Sequence, residues 1–234
     1  MSITYIVPCL NVEQDIIKNY KKLCLFIKKK KINSNIIFIN DGSKDLTIDK
    51  LKSIKDQKVK IIDNKKNLGK SQSIINTIKK VKTKNIVLID CDLPYFEYLD
   101  EVINNLKNND LVIINRKIKN SKNLDKKKNF YQIIRLGVSN LFGYLTESIL
   151  NLKVMGDTQA GLKAFKLNKE IKRKKFISKY YFFDIELINF FRKQNSKIKL
   201  IPVKFKVSNN SSIKIFSFKN FNYIYELIRV LYKC

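Results

Sequence analysis

Two aspartates one residue apart, Asp90 and Asp92, close the apolar run "NIVLIDCD" at residues 85–92. Carboxylates this close repel each other unless a cation sits with them. A hard divalent ion takes one or two carboxylates and completes its shell with water and ligand phosphates. The pair therefore points to Mg2+ or Mn2+ with a diphosphate, and a plain surface turn is the competing reading. Other apolar runs end on compatible chemistry. Pro8, Asn11 and Glu13 follow the first run in "VPCLNVE". "NDGS" supplies Asp41, which can accept hydrogen bonds from a base or ribose, and Gly42, which lets backbone approach a ligand. The same stretch could simply cap the next helix. In "NLGKS", Gly69 and Lys70 open a helix and could meet an anion there. Arg116, closing the fifth run, suits a phosphate.

These residues need a scaffold that brings strand ends together. The first half alternates short β-rich runs ("ITYIVPCL", "NIIFIND", "VKIIDN", "NIVLIDCD", "DLVIINR") with helical patterns. That alternation predicts an α/β fold with a mainly parallel, Rossmann-like sheet flanked by helices, and chemistry beyond the carboxyl ends of the strands. A polar, basic loop over 117–128 precedes a long helical stretch, "FYQIIRLGVSNLFGYLTESIL". Further on come a helix around "FFDIELINFFRKQ", a strand "KIKLIPVKF", a polar loop and a last helix. Two nucleotide signatures are excluded. GxxxxGK[ST] requires glycine where Asn64 stands, and no GxGxxG follows the first strand.

With 234 residues, 44% of them hydrophobic, the chain fits one large domain or a domain with an appendage. The net charge of +28 favours anionic partners, although drift toward Lys, Ile and Asn in an AT-rich genome gives the same excess. There is no histidine, which excludes Ser-His-Asp and Cys-His nucleophiles and His-ligated metals. Four cysteines without metal spacing suit a reduced cytosolic protein. No signal peptide and no apolar stretch of spanning length is visible, so a cytoplasmic location is expected.

The ordered series "VPCLNVE … NDGS … NLGKS … DCD … NR … MGDTQAGLKAF … FDIEL … IPVKF" resembles the family 2 glycosyltransferases of GT-A fold, from about Ile3 to Phe205. Its nearest subgroup is the polyprenyl- or dolichyl-phosphate hexose synthases, with "DTQAGLKAF" and "FFDIELI" most similar to the dolichyl-phosphate glucosyltransferase branch. The resemblance implies that Pro8, Asn11, Glu13 and Asp41 hold base and ribose. It implies that Asp90 and Asp92 hold the metal and diphosphate, and that Arg116 contacts phosphate or sugar. Arg135 and Ser139, four apart on one helix face, would grip the acceptor's lipid phosphate, against the reading of a helix with one snorkelling arginine. Such an acceptor is already anionic near neutral pH and needs alignment rather than a strong base. Inverting hexose transfer, of glucose from UDP-glucose, is then the expected reaction. A sugar-hydroxyl acceptor in polysaccharide synthesis would instead need Asp157 or Glu186 as base.

Two positions depart from the family pattern. Leu93 is followed by Pro94 instead of glutamine, and Ser208 stands where an arginine is usual, with Lys214 a substitute. The expected organisation is a GT-A domain over 1–206, with a nucleotide half 1–116 and an acceptor half 117–206, then a loop and amphipathic helix over 207–234. That last helix carries Phe218, Phe221, Tyr225, Ile228 and Tyr232 among basic residues. It could lie on an anionic membrane surface, making the protein peripheral, or pack on the domain. A nucleic-acid-binding module is the reading from another class. The strand-end acids argue against it, so no nucleic-acid partner is expected.

Overall fold

The computed structural model describes residues 1–125, 130–206 and 220–234, apart from the side chains of Tyr131, Arg135, Asn220 and Phe221. Nine strands and eight α-helices alternate among the described residues. β1 (Ser2–Cys9), β2 (Asn33–Asp41), β3 (Val59–Asn64) and β4 (Asn85–Ile89) are joined by α1 (Ile16–Lys29), α2 (Thr47–Lys52) and α3 (Lys70–Ile78). A single 3-10 turn and α4 (Leu99–Leu106) lead to β5 (Leu111–Asn115). Then come β6 (Lys122–Asn123), α5 (Phe130–Leu150), β7 (Leu162–Lys166) and α6 (Lys169–Arg173). α7 (Phe183–Lys193), β8 (Ile198–Pro202), β9 (Lys204–Phe205) and α8 (Asn220–Lys233) complete the order.

The seven-stranded sheet runs β3-β2-β1-β4-β7-β5-β8. All its pairs are parallel except those made by β7, which enters antiparallel between β4 and β5. The α/β, mainly parallel expectation is met. The antiparallel insertion gave no separate signal, because "LKAFK" is short and carries two lysines. β6 and β9 form a separate parallel pair inside the stretches read as a loop and as one strand.

The strands are buried on both faces, which explains their near-continuous apolar runs. Along β1 the faces alternate. Ile3, Tyr5 and Val7 join α1 and α4 through Ile16, Leu23, Leu99 and Leu106. Ile6 joins α3 and α7 through Ile74, Ile78, Ile185 and Ile188. α8 packs on that second layer, with Val230 fully buried. Every strand end named above except those of β7 and the edge pair therefore meets on one rim of the sheet.

Candidate active site

β4 ends at Ile89, and the Asp90 backbone N–H donates to the Gly161 carbonyl at 3.0 Å, tying the aspartate pair to the approach of β7. The chain then turns sharply. Leu93 N–H donates back to Asp90 O at 2.9 Å, and Leu93 and Tyr95 both adopt positive φ, 51° and 58°. Strained backbone of this kind persists only where its surroundings hold it. Gly161 is part of that hold. A Cβ there would lie 2.7 Å from both Asp90 Oδ2 and Pro94 Cγ. Pro94, the departure from the family pattern, thus shares with Asp90 the space in front of Gly161.

The two carboxylates differ. Asp90 Oδ1 is 2.5 Å from Lys70 Nζ, with both side chains about one third exposed (31% and 33%). Asp92 is exposed on the rim, yet desolvation and then the charge of Asp90 hold its carboxyl above the usual range. A pair in that state is stabilised by a cation. Among the described residues no group of three or more His, Cys, Asp or Glu forms a cage. Two carboxylates with the remaining ligands left to water and substrate oxygens fit Mg2+ or Mn2+, not a structural metal.

A second ion pair, this one buried, joins β7 to α7. Lys163 on β7, 2% exposed, sits 3.2 Å from Asp184 in the first turn of α7 and also donates to the Ala160 carbonyl. Asp184 Oδ1 has no hydrogen-bond partner, although it faces that ammonium. Burial raises the Asp184 carboxyl and Asp90 adds to this, while Lys163 and Lys70 oppose it. Sequence reading did not single out Asp184 or Lys163. The signal was present in "FFDIEL", an acid at a helix start, and in a lysine inside an apolar strand.

Arg116 and Asp157 come together as a clasp. The Arg116 N–H donates to Asp157 Oδ2 at 2.6 Å, and Nη2 reaches Oδ1 at 2.5 Å. Asp157 is 1% exposed. Burial works against its charge, but the Arg116 hydrogen bonds and charge prevail and hold the carboxyl below the usual range. Glu186 is also engaged, accepting from Ile177 N–H, Ser178 N–H and the Ser178 hydroxyl.

Asp41 is 4% exposed. Oδ1 accepts from Ser73 Oγ, Leu68 N–H and Asn64 Nδ2 at 2.7, 2.9 and 3.1 Å, and Oδ2 from Gly69 N–H at 3.0 Å. It shapes the loop that delivers Lys70. Glu13 and Asn11 shape the neighbouring loop. Glu13 Oε2 accepts from Leu46 N–H at 2.8 Å, and Asn11 Oδ1 from Lys44 N–H at 2.9 Å. Pro8 is half-buried at the end of β1. One expectation is corrected. The N-terminus of α3 is not open to an anion, because Ser71 N–H and Gln72 N–H donate to the Tyr180 and Lys179 carbonyls at 3.0 and 2.9 Å. The Lys70 side chain still reaches the rim at Asp90. Ser139 is exposed on α5, and the Arg135 side chain, Ser208 and Lys214 lie outside the described residues.

A mainly parallel sheet with acids at its carboxyl rim and an antiparallel strand beside them is the frame of the GT-A fold. Glucosyl-3-phosphoglycerate synthase from Mycobacterium tuberculosis shares it. Its complex with Mn2+, UDP and phosphoglyceric acid matches with TM-score 0.70 over 98% of this chain and 78% of that one, at 16% identity. Its UDP complex matches with TM-score 0.66 over 98% and 80%, at 16% identity. At that identity the likeness is one of fold. The uncharacterised glycosyltransferase YkcC of Bacillus subtilis (strain 168) is 38% identical over 90 residues, 38% of this chain and 28% of that relative. The chain thus spans well under two thirds of that relative's length. The profile of Glycosyl transferase family 2 matches residues 4–164. The chain belongs to that family.

Proposed function

We propose that the protein transfers a hexose, with inversion, from a nucleotide-diphosphate sugar to a polyprenyl phosphate, using Mg2+ or Mn2+ held by Asp90 and Asp92. Glucose from UDP-glucose is the expected donor. When bound, the ion neutralises charge on the diphosphate. The chain's own part is to position. Pro8, Asn11, Glu13 and Asp41 form the base and ribose wall, directly or by fixing its loops. Asp157 holds Arg116 toward donor phosphate or sugar. Arg135 and Ser139 receive the acceptor phosphate.

The observation that carries the acceptor half is the outer face of α5. Phe130, Ile133, Val138, Leu141, Tyr144 and Ile149 recur at helical spacing and are all exposed, Phe130 by 78% and Tyr144 by 70%. A contiguous apolar stripe of that length on a water-facing helix is unusual and fits a lipid environment. Ser139 lies on the same helix, and exposed Lys153, Arg229 and Lys233 supply positive charge for an anionic membrane surface. No helix among the described residues is long and apolar enough to cross a membrane, so the attachment proposed is peripheral. With Asp157 and Glu186 both engaged, an acceptor that arrives already ionised also suits the site.

A sugar-hydroxyl acceptor is the second reading, and Asp184 favours it. Its Oδ1 faces only the Lys163 ammonium at 3.2 Å among the described residues, and burial raises its carboxyl, the direction a proton acceptor needs. One assay separates the two. Labelled glucose from UDP-glucose is offered with Mn2+ or Mg2+ to a short polyprenyl phosphate, beside GDP-mannose and EDTA controls and the Asp92→Asn variant. Metal-dependent glycolipid that disappears in the variant is the expected result. Slow donor hydrolysis without glycolipid would remove the lipid acceptor and leave the donor chemistry standing.

A further inference from the structure

Lys70 Nζ sits 2.5 Å from Asp90 Oδ1, so one of the two rim carboxylates already has a cation. A divalent ion shared by Asp90 and Asp92 would meet that ammonium as a like charge at close range. Both cannot stay. The Lys70 main chain has nowhere to go. Gly69, at φ 97°, is pressed against the Lys179 carbonyl, where an added Cβ would lie 2.3 Å from its oxygen. Asp41 fixes Gly69 N–H at 3.0 Å, and the Ser71 and Gln72 N–H groups are bonded to the Tyr180 and Lys179 carbonyls. What can move is the four-carbon stem. Its charge is drawn by Asp90 and, more weakly, by Asp184 and Asp92. Asp184 is already shared with Lys163 at 3.2 Å, so it keeps Lys70 near the rim without replacing Asp90 as its close partner.

We propose that Lys70 is a tethered cation that exchanges between Asp90 and the donor's diphosphate, coupling the binding of the divalent ion to that of the nucleoside diphosphate. The inference rests on the donor-site reading above. The ion displaces the ammonium from Asp90, and the diphosphate offers it a new anion. Each ligand therefore removes part of the other's cost, which is positive linkage.

The test uses the full chain, with Mn2+ and UDP as probes, read by electron paramagnetic resonance and calorimetry. Mn2+ affinity is measured with and without UDP in the wild type, Lys70→Met and Lys70→Arg. Melting temperatures check that each variant is folded. In the wild type UDP should tighten Mn2+ binding by about tenfold or more, within the usual span of coupling. Lys70→Met should bind Mn2+ alone several-fold tighter than the wild type, about threefold to tenfold for one removed charge, yet bind UDP more weakly and show a smaller coupling. Lys70→Arg, which keeps the charge, should bind Mn2+ alone as weakly as the wild type. Unchanged or weaker Mn2+ binding in Lys70→Met, or coupling equal to that of the wild type, overturns the exchange and leaves the donor site intact. Absence of any UDP effect in the wild type overturns the donor-site reading and the exchange together.

Discussion

Asp157 grips Arg116 from two sides, by its backbone N–H at 2.6 Å and its guanidinium at 2.5 Å, across 41 residues of chain. The bond joins the end of β5 to the loop before β7, so it braces the rim as well as aiming the arginine. Asp157→Asn should therefore lower stability at pH 7 by about 3 kcal/mol, the scale of breaking a buried pair. The sign with pH follows from the lowered carboxyl. Its contribution is complete above the unfolded value, near pH 4, and is lost as pH falls through the lower folded value. Urea titrations of both proteins at several pH values should show the gap narrowing only in acid. A gap independent of pH would refute the assignment.

Gly161 is required by its neighbours rather than by its backbone angles. Gly161→Ala places a methyl 2.7 Å from Asp90 Oδ2 and Pro94 Cγ. The carboxylate can swing but the proline ring cannot, so overpacking should cost about 1–3 kcal/mol. Mn2+ binding should weaken about tenfold, equivalent to ~1.4 kcal/mol. Gly137 in α5 is the control, since nothing lies within 4 Å of an added Cβ there. Gly137→Ala should be neutral or stabilise by up to ~1 kcal/mol. Thermal melts and Mn2+ titrations of the two variants make the comparison.

The strand rhythm and the strand-end acids were legible in the sequence because both are local. Each apolar run is a buried strand, and Asp90, Asp92 and Arg116 follow their runs directly. What was not legible depends on residues far apart. The partner of Asp90 is Lys70, that of Arg116 is Asp157, and that of Lys163 is Asp184, and no spacing rule links them. Asp41 read equally well as a ligand contact or a cap of the next helix, and its donors come from neither, since Asn64, Leu68, Gly69 and Ser73 lie beyond that helix. The α3 N-terminus read as open because the loop at Lys179 and Tyr180 that closes it lies about a hundred residues on in sequence.

That loop is itself held from α8. The buried carboxylate of Glu226 accepts from Lys179 N–H at 2.6 Å and Tyr180 N–H at 2.9 Å. Glu226→Ala would orphan two backbone donors, at about 1–3 kcal/mol for each one left dry. Because the carbonyls of Tyr180 and Lys179 receive the Ser71 and Gln72 N–H groups of α3, loosening the loop should reach Lys70. Hydrogen exchange should quicken at Ser71 and Gln72 in the variant, with β1 and β2 amides unchanged beyond the global loss. Equal protection at Ser71 and Gln72 would show that α3 holds its own N-terminus.

The apolar stripe of α5 separates binding from folding. Leu141 and Tyr144 are exposed, so Leu141→Glu with Tyr144→Glu should move stability by no more than about 0.5 kcal/mol per site. The inner face of the helix, where Phe142 stacks on Phe182 at 5.6 Å between ring centroids and Thr146 is buried, is left untouched. On vesicles the two changes should act strongly, since they remove apolar contact and place negative charge against anionic headgroups. Sedimentation with phosphatidylglycerol vesicles should retain the wild type and lose the double variant. Phosphatidylcholine vesicles should retain less of either, and added salt should weaken the wild type only in part, because screening removes the charge term but not the apolar one. Wild-type protein that stays in the supernatant with every vesicle, while running as a dimer that the double variant breaks, would reassign the stripe to contact between two copies of the chain.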